Sequence, residues 1–577
     1  MWDHLEVIQP LIIGTVMDRR TFLAYSLASG VVVWAGSAIP NQFADLFSFG
    51  SAEAQTAQVF PQSVASGDPQ PQGITLWTRV NSTAPNVTLS FQIATDRDFR
   101  NIVLSGIANT NRERDYTAKV LLNNRSELRP DTTYFYRFIF ENTNSRTGRF
   151  KTLPAPDATV DRVRFGYVSC SDYTNGLFTA CRFLADEDID FVVHLGDAIY
   201  ETVFDPTFQN NVRPITLPSG SPTAVTLEDY RALYKIYRSD PDLQRVHESF
   251  AFITIWDDHE YANDAYQTFN TDAPDPAKPE LNNTPRRRQI ASRVWAEYTP
   301  TSIPFDPSRD PLESIQIYRS FVFGNLMELV MTDERLYRDA PACGPTSAQR
   351  NLSPGCANLA NPDRSMLGRT QREWFLNKIT NSSRTWKIWG NEVMTMQLKI
   401  AKAVVDRVNP NLIPVDLFAT LDQWDGYPVE RATIFRTIRD RGVKNFVTIT
   451  GDLHTFVAGY QRIDFNTPFA PGTVPDNAAG VEFLTGSISA SNLAEQPNAF
   501  NLDINTSTQL LLASNPHIVF FNSNTHGYNL IEVTPQLLTC RMKAVSNITS
   551  ASATLSTLKV FDVPRDQVLI RDVTPRA

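Results

Sequence analysis

The sequence predicts an α/β fold whose buried strands carry polar residues to one edge of a sheet, preceded by a small antiparallel β-sandwich. Two observations predict it. From residue 160 onward, strand-length apolar runs each stop at a polar cluster, with helical stretches between some of them. Before residue 155 the runs are short, alternate with a period of two and are cut by turn residues.

Taken in order, residues 1–54 read as a leader. Asp18-Arg19-Arg20-Thr21-Phe22-Leu23 precedes a weakly apolar stretch at 23–39, and Ala52-Glu53-Ala54 offers a small-residue cut site before Gln55. A paired arginine, a weak apolar region and such a site are the marks of a twin-arginine export signal. Met17, directly before the motif, suggests that 1–16 is an over-extended start. No segment beyond residue 60 has the ~18 uninterrupted apolar residues of a membrane span. The net charge of −9 gives no general attraction to nucleic acid or anionic membrane. Five cysteines in 577 residues exclude a disulfide-dense scaffold.

Residues 55–157 form the expected sandwich domain. Gly73-Ile74-Thr75-Leu76-Trp77-Thr78-Arg79-Val80, Val87-Thr88-Leu89-Ser90-Phe91-Gln92-Ile93 and Thr133-Tyr134-Phe135-Tyr136-Arg137-Phe138 alternate as half-buried strands do, and Thr152-Leu153-Pro154-Ala155-Pro156 closes the domain as a stiff linker. Residues 158–577 form the catalytic domain. Its strand candidates are Phe165-Gly166-Tyr167-Val168, Phe191-Val192-Val193-His194-Leu195, Phe252-Ile253-Thr254-Ile255-Trp256, Phe446-Val447-Thr448-Ile449, and the runs at 326–331, 386–389 and 481–484. Helical patterns fall at 177–185 and 370–379, and the Pro- and Asp-rich stretches 204–226 and 264–285 read as surface loops. Open α/β sheets place their chemistry at the carboxyl ends of such strands.

Five strand ends hold the suggestive residues: Ser169-Cys170-Ser171-Asp172, Gly196-Asp197-Ala198-Ile199-Tyr200-Glu201, Trp256-Asp257-Asp258-His259-Glu260, Trp389-Gly390-Asn391-Glu392 and Gly451-Asp452-Leu453-His454. Each offers metal donors: carboxylate, thiolate, phenolate, amide or imidazole. A Gly-Asp pair alone is commonly a turn, and Asp-Asp-His-Glu alone a solvated loop. Their recurrence in one sheet order is far less expected by chance, and two of only seven histidines, His259 and His454, stand beside carboxylates there. His194, inside an apolar strand, reads as a hydrogen-bonded core residue, and Cys181 and Cys540 as core. Cys343 and Cys356 bracket a small polar loop suited to a disulfide in an exported protein.

In this order the motifs resemble the PhoD-type alkaline phosphatases, within the calcineurin-like metallophosphoesterases. The resemblance extends to Phe60-Pro61-Gln62-Ser63-Val64-Ala65-Ser66-Gly67-Asp68-Pro69, to Asp333-Glu334-Arg335-Leu336-Tyr337-Arg338, and to Gln371 with Trp374. It implies a metallophosphoesterase β-sheet sandwich flanked by helices, and a centre of one Fe3+ and two Ca2+. Carried over by position, Cys170 and Tyr200 bind iron as thiolate and phenolate, Asp197 bridges, and Asp452 and His454 supply the last metal motif. Asp258 ligates a metal and assists catalysis, with Asp257 as the alternative ligand that spacing leaves open. His259 acts as acid or phosphate ligand, and Asn391 contacts calcium or phosphate. At Thr525-His526-Gly527-Tyr528 a histidine stands where relatives are expected to carry arginine.

The resemblance thus implies an exported phosphatase, active at alkaline pH, that hydrolyses phosphate esters (monoesters and also diesters) by in-line attack of metal-bound hydroxide. Its expected partners are small-molecule phosphate esters and the twin-arginine export machinery, with no nucleic acid and no stable membrane anchor, and it would act as a monomer in the periplasm or outside the cell. A phosphodiesterase or phospholipase D-like hydrolase is the alternative, separated by whether an apolar rim surrounds the site. A non-catalytic, calcium-stabilised wall protein is the rival of another kind.

Overall fold

The computed structural model describes residues 53–270, 282–496 and 502–576. The leader read from 1–54 lies, up to residue 52, outside the described residues, as does part of the 264–285 loop. Among the described residues no helix is long and apolar enough to cross a membrane.

Two large sheets dominate. In the first, of ten strands, Val163–Val168, Phe191–Leu195 and Ala251–Ile255 run parallel at the centre, and His526–Val533 joins Val163–Val168 antiparallel. In the second, of seven, Met327–Met331, Trp386–Asn391, Phe446–Thr450 and Ala478–Leu484 run parallel. Phe191–Leu195, Ala251–Ile255, Met327–Met331 and Phe446–Thr450 are buried at every position, which is why they read as largely apolar runs without strict alternation. One apolar core spans both sheets, with Phe191 stacked on Phe323 at 4.9 Å and the Tyr167 hydroxyl donating to the Phe483 carbonyl at 2.8 Å.

Helices cover the outer faces. Arg369–Asn381 and Pro428–Asp440 pack Phe375, Ile379, Ile434 and Ile438 on Val330, Trp389 and Phe446. Leu227–Tyr237 begins with a capping box from Thr226 and Asp229, and Pro241–Ser249 with an Asp240 cap and a proline in its first turn.

The N-terminal strands form two antiparallel layers over their own core. One layer is a five-stranded sheet containing Asn86–Ala94, Ile102–Asn111 and Thr133–Phe140. The other, Val64–Gln70, Gly73–Arg79 and Thr117–Leu122, also extends the ten-stranded sheet, because Val64–Gln70 pairs in parallel with Ala251–Ile255. Periodicity marks strands but not their neighbours, so this continuity was not readable from the sequence. Cys343 and Cys356 are joined in a disulfide, and Cys181 and Cys540 are buried.

Candidate metal centre

The parallel strands of both sheets end on the same side, and their connections are tied together. The Cys170 N–H donates to the Gly196 carbonyl at 3.2 Å, Ser171 N–H to Asp197 at 2.9 Å, and Gly451 N–H to Glu392 at 3.0 Å. Four donor-bearing residues adopt the left-handed backbone region that non-glycine residues seldom occupy: Cys170 (φ 60°), Asp197 (57°), Asp452 (65°) and His454 (52°). Such strain persists where surrounding contacts over-determine it, and it gathers at functional sites. Gly196 (φ 101°) explains part of the approach, since a Cβ there would lie 2.4 Å from Asp257.

Buried glutamates act as staples. Glu260 accepts the N–H groups of Asp197 (3.0 Å), Ala198 (2.6 Å) and Asp257 (2.8 Å), fixing two strand ends with one carboxylate. Glu201 accepts from His259 Nδ1 at 2.7 Å and from the Asn263 N–H at 2.7 Å. The Tyr200 hydroxyl donates to Asp197 Oδ2 at 3.1 Å and lies 3.0 Å from His454 Nε2. His454 Nδ1 lies 2.6 Å from the Ser491 carbonyl, which only a protonated Nδ1 can satisfy, so Nε2 is the bare nitrogen facing Tyr200.

Donor atoms of Cys170, Asp197 and His454 lie within 4.8 Å of one another, as do those of Asp197, Asp258 and His259, of Asp257, Asp258 and Asp452, and of Asp258, Asp264 and Asp422. These sets differ in charge balance. Three guanidiniums answer the last: Arg335 and Arg338 each pair with Asp422 at 2.6 Å, and Arg350 with Asp264 at 2.7 Å. Burial would raise the Asp422 carboxyl, but Arg335 and Arg338 outweigh it and hold it well below the usual range. Arg335 also binds Asp257, and Asp452 at 2.8 Å.

The Cys170–Asp197–Tyr200 corner has no such partner; among the described residues no lysine or arginine pairs with Asp197. Burial pushes the Cys170 thiol and the Tyr200 phenol well up, each further raised by Asp197, and burial raises the Asp197 carboxyl itself. Burial lowers His454 to about 4, so its imidazole is neutral. Burial opposes charge on His259, but Glu201, Asp258 and Asp197 outweigh it and keep that ring protonated. Asp258 Oδ1 and Asp257 Oδ2 are buried with no hydrogen-bond partner. A thiol, a phenol and a neutral imidazole gathered around Asp197, which no guanidinium reaches among the described residues, and buried Asp257 and Asp258 oxygens without hydrogen-bond partners fit a cation cage.

The structure therefore gathers Cys170, Asp197, Tyr200, Asp258, His259, Asp452 and His454. Asp197, Asp258, His259, Asp452 and His454 line one cavity. Asn391 is fully buried at its strand end, with its amide donating to the Val393 carbonyl and accepting from Trp424 Nε1 at 3.1 Å. Glu201, Glu260 and Arg335 sit inside the quoted motifs, but no role was read for them. Asp422 stood in a stretch without any signal.

This fold and site define a metallophosphoesterase-type hydrolase. A family model of the PhoD-like phosphatases matches residues 165–542, and a model of that family's N-terminal domain matches 47–154. The chain is 30% identical to alkaline phosphatase D of Bacillus subtilis (strain 168) over 572 residues, covering 97% of this chain and 90% of that protein. A solved structure of PhoD superposes with a TM-score of 0.78 at 29% identity, covering 90% of this chain and 93% of that one. A purple acid phosphatase from yellow lupin seeds shares the fold at a TM-score of 0.51 and 12% identity, over 87% and 74% of the two chains. The chain belongs to the PhoD-like phosphatase family and is a metal-dependent phosphatase.

Proposed function

We propose that this phosphatase is exported through the twin-arginine route, is built from a leader (1–54), a sandwich domain (55–157) and a catalytic domain (158–577), and hydrolyses phosphate monoesters and diesters outside the cytoplasm as a monomer. The observation that carries the reading is the corner, paired with no lysine or arginine among the described residues, where Cys170, Asp197 and His454 place donor atoms within 4.8 Å of one another. Cys170, Tyr200 and Asp197 would hold a ferric ion as anionic donors, which a hard trivalent ion favours, and the neutral imidazole of His454 would complete the set. Asp258 and Asp452, with Asp197, would hold calcium, for an ion content of one Fe3+ and two Ca2+. Asn391 would have to give up its bond to Val393 or Trp424 to join them. Bound there, the cations would neutralise the cage for a phosphate dianion and acidify a water to near-neutral pKa.

The chain's own groups do the rest. His259 lines the cavity with Nδ1 committed to Glu201, which leaves Nε2 for a phosphate oxygen or the departing alcohol. The transfer proposed is directly to water, with no phosphoenzyme; Ser169 and Ser171, which flank Cys170, are both buried. Purified protein should release phosphate from a monoester and the alcohol from a bis-ester, lose activity with Cys170→Ala, and invert a chiral phosphate ester. Retention of configuration, or full activity without Cys170, overturns the reading. Arg19→Lys with Arg20→Lys should hold the protein in the cytoplasm.

A further inference from the structure

The cavity lined by Asp197, Asp258, His259 and His454 is far larger than a phosphate. It encloses about 840 Å3, toward the upper end of the ~300–1,000 Å3 usual for small-molecule sites. Away from the cage its wall carries an apolar stripe, Leu398, Ile400, Leu412, Ile413, Leu511 and Phe521, beside polar residues such as Asn351, Ser507 and Thr508. Ile400 lies in the strand Lys399–Ile400 of the small sheet that also holds Asn351–Ser353 and Leu417–Thr420, and Leu398 directly precedes it; Leu412 and Ile413 follow the helix Lys402–Val405, Leu511 is in the helix Ile504–Ser514 and Phe521 in the strand Ile518–Asn522.

None of the six belongs to the core that joins the two large sheets. They fall in two satellite clusters, in which Ile400, Leu412 and Leu511 are only partly buried. Holding the sheets together does not account for them. The loop that supplies Leu412 and Ile413 also exposes Val408 (57%) and Val415 (46%), and Leu493 on the cavity wall is 42% exposed. A cage that would bind phosphate through its cations and that opens onto an apolar stripe matches a ligand charged at one end and apolar at the other.

We propose that the trough along this stripe binds the alcohol moiety of the ester, so that the preferred substrates carry an extended alkyl, acyl or aryl group. The inference rests on the cage being the phosphate end. Hydrolysis breaks the P–O bond to the alcohol, water supplies the new oxygen on phosphorus, and the apolar alcohol leaves with a proton. Each methylene buried in the trough raises kcat/KM roughly three- to fourfold.

The test uses the metal-loaded enzyme and a series of ethyl, butyl, hexyl and octyl phosphates below their micelle concentrations. The octyl ester should exceed the ethyl ester in kcat/KM by at least about thirtyfold, as burial of three of the six added methylenes requires, chiefly through KM. Leu412→Asn or Leu511→Asn, at partly buried positions, should cut the octyl-to-ethyl ratio about tenfold by removing apolar contact. If either variant fails to fold, the series on the unaltered enzyme still decides. The octyl ester offered in phosphatidylcholine vesicles separates two sources of the same chain: a lower rate than in solution marks a free amphiphile, and a higher one a bilayer-borne ester. A flat kcat/KM along the series, on enzyme that hydrolyses the ethyl ester, overturns the proposal. Failure to hydrolyse any ester overturns instead the reading of the cage.

Discussion

The phenol oxygen of Tyr200 lies 3.0 Å from Nε2 of His454, across 254 residues of sequence. The same hydroxyl donates to Asp197, so one oxygen links the connections after two strands of different sheets. Tyr200→Phe keeps the ring stacked on His259, where the centroids are 4.0 Å apart, and removes only that oxygen. The expected outcome is a folded protein whose metal affinity falls by at least about tenfold, measured as metal retained after dialysis against a chelator. Unchanged retention would separate Tyr200 from the cage.

Arg335 is the second hub, fully buried among Asp257, Asp258, Asp422 and Asp452. Removing it leaves buried carboxylates unanswered. Arg335→Met should therefore lower stability by about 3–5 kcal/mol, read from the denaturant midpoint. Arg335→Lys keeps the charge but not the fork that reaches several carboxylates at once, and should recover only part of the loss.

Acid should destabilise the protein through buried imidazoles. Burial lowers both His194 and His517 to about 3. His194 Nδ1 accepts the Gly196 N–H at 3.2 Å, and His517 Nε2 donates to the Gln397 carbonyl at 2.9 Å. The unfolded chain takes up protons near pH 6.5, and the folded chain only near pH 3. Their stabilisation is therefore present above pH 6.5 and is lost as pH falls toward 3, at about 2 kcal/mol per histidine by pH 5. His517→Gln should flatten the fall in the urea midpoint between pH 7 and 5; an unchanged slope would contradict the assignment.

The Cys343–Cys356 disulfide closes the loop that carries Arg350, whose guanidinium pairs with Asp264, and Ser347, which lines the cavity. Reduction, or the double change Cys343→Ser with Cys356→Ser, should cost about 3 kcal/mol by the loop-entropy estimate. Limited proteolysis should then cut this loop first.

Much of this architecture was legible because fully buried parallel strands have no polar face. Phe191-Val192-Val193-His194-Leu195 announces a strand of the observed length, and the polar residue after it announces an edge. The donors could be read for the same reason, since Gly196-Asp197 and Gly451-Asp452 stand where the apolar runs stop. What stayed hidden was long-range pairing. Nothing local to Val64–Gln70 says that it lies beside Ala251–Ile255, and nothing near Asp422 says that it will meet Arg335 and Arg338. The apolar trough was equally invisible, because Leu398, Leu412 and Leu511 look like ordinary core residues until their unfilled side is seen.

The central claim is that Cys170, Asp197, Tyr200 and His454 close around one ion. Anomalous diffraction at the iron edge, on protein purified from an exporting host, tests it most directly. The account predicts a single strong peak within bonding distance of all four side chains. A map with no peak there, or with its scatterer among Asp258, Asp264 and Asp422 instead, would contradict it.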